Sequence, residues 1–184
     1  MIKQAFVPFA IMLTVLAALM LPGCGGDSQP PSESSRATAQ AELPTGFFLS
    51  QEPPATKTVE DAKKSARPGD TVTLRGRIGG AKDPFVDGRA VFTLMGAGLK
   101  PCGDGSPMPE CKTPWDYCCD TSRDIAEHSA TIQVVDASGA PLKLSIKGRN
   151  GIRELSDLIV VGKVKQADGH LMIVNASAIY VRKS

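Results

Sequence analysis

From Val72 onward apolar side chains recur at every second position, and this period constrains the fold more than any other feature of the chain. Val72, Leu74 and Ile78 mark one strand, Ala90 to Leu94 a second and Thr131 to Val135 a third. Leu142, Leu144 and Ile146 alternate as a fourth, Leu158 to Lys165 form a fifth and Leu171 to Val181 a sixth. Successive side chains of a strand face opposite ways, so the pattern predicts sheet with one face buried. Gly79-Gly80, Ser138-Gly139 and Asp168-Gly169 supply the turns. Gly76 and Gly162 fall inside strands, where they predict the bulges or bends that close a small barrel. Helix is confined to short pieces. Thr58-Val59-Glu60-Asp61 is a capping-box-like start running to about Ser65, and Gly151 to Leu155 make one or two turns. The predicted class is mainly β: a small barrel with one or two short helices and a cysteine-bearing loop insert over residues 100–129.

This order, with a helix before the last hairpin, resembles an OB-fold. The matching pieces are Val72 to Ile78, the turn near Gly151 to Leu155, Ile159 to Val164 and Ala176 to Ile179. They are similar to OB domains of the tRNA-anticodon and helicase type, over most of residues 70–182 apart from the insert. The segment Thr113-Pro114-Trp115-Asp116-Tyr117-Cys118-Cys119 is similar to one in an uncharacterised group of bacterial OB-fold lipoproteins, which implies no activity. The OB resemblance implies binding of single-stranded nucleic acid through stacked aromatics in a basic groove. The residues argue against it. Aromatics are 5% of the chain, and Arg75, Arg77, Lys143, Lys147, Lys163 and Lys165 alternate with apolar residues as a solvated sheet face does. A second OB comparison, the periplasmic haem chaperones, implies a His-x-x-x-Tyr site. Here Ala176 stands four places before Tyr180, so covalent haem is not expected, and no cofactor is.

The N-terminus sets the compartment. Lys3 precedes an apolar run from Ala5 to Met20, which closes on Leu21-Pro22-Gly23-Cys24. Pro8 interrupts the run, which is shorter than the ~20 residues that span a bilayer. The tetrapeptide resembles a bacterial lipobox, with Pro22 where Ala or Ser is usual. That resemblance implies a signal peptide over residues 1–23, cleavage before Cys24 and its acylation, giving a stable lipid anchor to the membrane. Gly25 is not the aspartate that retains some lipoproteins in the inner membrane, so the expected location is the outer membrane, facing the periplasm. Residues 24–55 then read as a flexible Pro/Ser-rich tether and residues 56–184 as the barrel domain. Phe47-Phe48-Leu49 breaks the polarity of the tether and is expected to dock on the domain.

The chain carries 21 Lys+Arg against 19 Asp+Glu, and loss of Lys3 leaves 20 against 19. No charge excess draws it to nucleic acid. Of five cysteines, Cys24 is assigned to lipid, leaving Cys102, Cys111, Cys118 and Cys119. In an oxidising compartment these predict two disulfides, Cys118 and Cys119 reaching back to Cys102 and Cys111 with the pairing open. The competing expectation is a zinc or copper(I) site with His128, Asp104 or Asp116 as further ligands. A reactive thiol pair is a third, without a C-x-x-C motif to support it. Trp115 and Tyr117, flanking Asp116, either plug the barrel over the sulfurs or present a binding surface for a sugar, a peptide or a partner protein. Asp83, Asp87, Asp104, Glu110, Asp116, Asp120 and Asp124 have no spaced partner, so no catalytic residue and no enzyme is expected. The expected function is a lipid-anchored envelope module that binds an envelope protein or a small ligand. The alternatives are metal or metallo-cofactor binding through the cysteines, and nucleic-acid binding by fold analogy alone.

Overall fold

The period-two pattern closes on itself as a five-stranded barrel in the computed structural model, which describes residues 41–103 and 111–183. The lipobox-like segment, Cys24, the first part of the tether, Asp104 and Glu110 lie outside the described residues. The elements are β1 (Lys57–Thr58), α1 (Val59–Ser65), β2 (Thr71–Ile78), β3 (Val91–Met95), α2 (Ser122–Glu127), β4 (Ser129–Gln133), β5 (Asp157–Asp168) and β6 (Leu171–Val181). Around the barrel the order is β2, β3, β4, β6, β5 and back to β2. The β4–β6 pair is parallel and the other barrel pairs are antiparallel. This is a small OB-like β-barrel. Inward residues of every strand fill it, among them Leu74, Ile78, Phe92, Leu94, Ile132, Val160, Val174 and Ile179.

Two glycines allow the closure. β2 pairs with β5 along its length and reaches β3 only at Arg77 and Ile78, so it bends between partners at Gly76. A Cβ on Gly76 would lie 2.4 Å from the Met95 carbonyl oxygen. At Gly162 the β5–β6 register shifts, and a Cβ would lie 2.4 Å from the Asn175 carbonyl oxygen. Gly76→Ala is therefore expected to destabilise the barrel by about 1–3 kcal/mol, since the clash is with backbone. Denaturant unfolding tests this, and an unchanged midpoint would show that the strands are not held so closely.

Two local expectations are corrected. Leu142, Leu144 and Ile146 are buried as their alternation requires, but they form no strand. Of the three, Leu142 bonds to the backbone beside β3 and β4, its N–H donating to Val134 O and its O accepting from the Ala90 N–H. β2 and then Pro84 to Val86 take one edge of β3 and β4 takes the other, so β3 offers no edge for a further ladder. The helix expected at Gly151 to Leu155 is instead a 3-10 turn at Arg149–Gly151. Gly148 and Gly151 both take positive φ, and this limits it to one turn. The last part of the stretch read as tether docks on the domain, as expected of Phe47-Phe48-Leu49. Ala41, Leu43 and Phe48 pack on the core and Phe47 is buried. The Ile179 N–H donates to Phe47 O, and Leu49 N–H to Ile179 O, both at 2.8 Å.

The start of α1 follows its sequence signal: Thr58 Oγ1 accepts from the Asp61 N–H at 3.2 Å. The same logic accounts for α2, which sequence reasoning missed. Thr121 Oγ1 accepts from the Asp124 N–H at 3.1 Å, a Thr-x-x-Asp signal legible in the chain. Among the described residues no helix is long and apolar enough to cross a membrane.

Candidate functional site

The insert leaves the barrel after β3 and returns at β4. Its return is seated on Gly79-Gly80, just beyond β2. The Gly80 N–H donates to Trp115 O at 2.8 Å, and a Cβ on Gly79 would lie 2.6 Å from that same oxygen. No other residue allows the insert so close. The Cys102 N–H donates to Pro114 O at 3.0 Å, tying the outgoing arm to the returning one.

A 3-10 turn at Pro114–Asp116 and a left-handed Tyr117, φ 55°, then reverse the chain. The reversal sends neighbouring side chains opposite ways. Tyr117 enters the core, 1% exposed, while Cys118 stays at the surface. Trp115 is half-buried, and its Nε1 donates to Lys82 O at 2.9 Å. Of the two uses weighed for these aromatics, Tyr117 is a plug, and Trp115 is an anchor of the insert. Neither is displayed as an open platform.

Asp116 organises the turn. Thr113 Oγ1 donates to its Oδ2 at 2.7 Å, and the Cys118 N–H donates to its Oδ1 at 2.9 Å. Burial alone would raise the Asp116 carboxyl, but these hydrogen bonds outweigh it and hold the group below the usual carboxylate range. Beside it three sulfurs converge. Cys118 Sγ lies 3.6 Å from Cys102 Sγ and 3.8 Å from Cys111 Sγ. One oxygen of Asp116 and these three sulfurs all lie within 4.8 Å of one another. The Cys119 N–H donates to Cys102 Sγ at 3.3 Å. Burial pushes the Cys102 thiol up, and the Asp116 carboxylate and adjoining sulfurs push Cys118 up. No sulfur pair among the described residues stands at disulfide distance, in contrast to the two bridges expected.

His128 stays out of this group. Its Nδ1 lies 2.8 Å from Asp124 O, and the ring packs against Gly98. A cation that sequence reasoning passed over, Lys63, ties α1 to the far side of the insert. Its Nζ donates to Ala126 O at 2.5 Å and to His170 O at 2.6 Å.

Where insert and barrel meet, a cavity of about 330 Å³ opens between β2 and the loop after β3. Arg75, Arg77 and Lys100 line it together with Leu99, Pro101 and Tyr117. Asp157 Oδ2, also at this cavity, lies 4.0 Å from Arg77 Nη2 and 3.8 Å from Arg182 Nη1. Arg75 has no such carboxylate beside it among the described ion pairs.

Fold and site define a class: a small OB-like barrel with a cysteine-bearing insert seated over the end of one strand. Comparison with family models, curated proteins and solved structures finds no match for this chain.

Proposed function

We propose that the protein is a non-enzymatic binding module of the cell envelope, anchored through acylated Cys24 and facing the periplasm from the outer membrane. Its ligand-contacting face is the cavity where the insert meets the barrel. The observation carrying this reading is that Arg75, Arg77 and Lys100 line one cavity together with Leu99 and Pro101. Concave, largely apolar sites with a few placed charges suit a ligand that bears an acidic group on an apolar body. A small molecule and a side-chain cluster on an envelope protein both meet that description. The nucleic-acid alternative has less support, because Tyr117 is buried and Trp115 is tied down by its indole N–H.

Anilinonaphthalene sulfonate, an apolar body with one anionic group, is a direct probe. It is expected to bind the full chain saturably at one site. Arg75→Glu with Arg77→Glu should weaken binding at least tenfold, and Lys165→Glu should not. Equal effects of both changes, or no saturable binding, would overturn the assignment of this face. Tight binding of a short single-stranded oligonucleotide with steep salt dependence would favour the nucleic-acid alternative instead. The anchor is tested separately: Cys24→Ala should release the protein from membranes, and retention after signal cleavage would refute it.

A further inference from the structure

The geometry points to a zinc(II) site formed by the thiolates of Cys102, Cys111 and Cys118 with the carboxylate of Asp116. It stands independently of the ligand cavity. Tetrahedral zinc holds thiolates at about 2.3 Å, which places two sulfurs about 3.8 Å apart along an edge of the tetrahedron. Cys118 Sγ has two such neighbours, at 3.6 and 3.8 Å. A disulfide draws a sulfur to a single partner. Near-equal distances to two partners fit a shared central cation. The fourth corner falls to Asp116, the one carboxylate among the described residues that converges with the sulfurs. Three sulfurs and one oxygen make a closed S₃O set of the structural kind.

The surroundings fit the charges. The Cys119 N–H donates to Cys102 Sγ, and Asp116 accepts from Thr113 Oγ1 and from the Cys118 N–H. Hydrogen bonds of this sort orient ligands and spread the negative charge of a thiolate site. Binding is a simple exchange without electron transfer. Three thiols each give a proton to solvent, and three Zn–S bonds and one Zn–O bond form. The ligands come from both arms of the insert, Cys102 from the outgoing one and the other three from the returning one. A single ion would therefore clamp two arms that the hydrogen bond of Cys102 N–H to Pro114 O already brings together.

The test uses the full chain, reduced and stripped of metal by a chelator. It is expected to take up one zinc per chain, releasing three protons. Cys118→Ser should weaken zinc binding at least 100-fold and Asp116→Asn about tenfold, while Cys119→Ser keeps it. Cobalt(II) added to the unmodified chain should give tetrahedral ligand-field bands with thiolate charge transfer, a readout that does not depend on any variant folding. Octahedral cobalt, no zinc uptake by the reduced chain, or an equal loss in Cys119→Ser and Cys118→Ser would each overturn the site. Uptake of copper(I) but not zinc, with Asp116→Asn silent, would overturn the zinc assignment in favour of a three-sulfur site.

Discussion

Tyr117→Ala should lower the free energy of unfolding by about 3–5 kcal/mol, the range for truncating a large buried side chain to alanine. The phenol ring is 1% exposed although it belongs to an irregular insert, and it packs against Gly79 at the end of β2. Its left-handed backbone is strained for a residue with a Cβ, so the ring must return more in packing than that conformation costs. Chemical denaturation measures the loss, and a change under about 1 kcal/mol would restore Tyr117 to the surface role weighed for it. A pH signature accompanies the effect. Burial raises the Tyr117 hydroxyl to about 12, against an ordinary value near 10. A folded-state value above the unfolded one gives stability that is complete below the unfolded value. It is lost as pH climbs from about 10 through about 12. Tyr117→Phe should remove this part of the alkaline loss, and matching curves for the two proteins would contradict it.

Phe47→Ala is expected to cost a similar amount, about 3–5 kcal/mol. The side chain is 2% exposed and meets Phe48 edge-on with ring centroids 5.3 Å apart. The loss should be felt along the adjoining backbone too. The bonds between Ile179 and residues 47 and 49 hold this segment beside β6, and without the ring they should open more often. Hydrogen exchange at Ile179 and Leu49 should then quicken. Unchanged exchange together with unchanged stability would show that the barrel stands without this segment.

The barrel was legible because alternation is a local property: each inward residue of β2, β5 and β6 is marked by its own neighbours. Gly76 and Gly162 were legible for a related reason, since a residue without a Cβ inside a strand signals close approach whatever the partner. The absence of a strand at Leu142 to Ile146 was not legible. Whether an alternating segment pairs depends on a free edge elsewhere, and that is settled by which distant segments, such as Pro84 to Val86, reach the edge first. At the site the four cysteines were visible as a set, but not the convergence of three of them. That depends on the left-handed Tyr117, which parts the side chains of residues 117 and 118, and on Gly79, which admits the insert. A tyrosine carries no local sign of a positive φ. The cavity beside Arg75 and Arg77 was hidden likewise, because the alternation that exposes these residues does not say which loop lies next to them.

Phe48 pairs with Ile179 in parallel, about one strand spacing, some 5 Å, from β6 and beyond the stretch that β4 covers. An open strand edge is a template for pairing with another chain, so residues 47–49 guard the end of β6 against edge-to-edge aggregation.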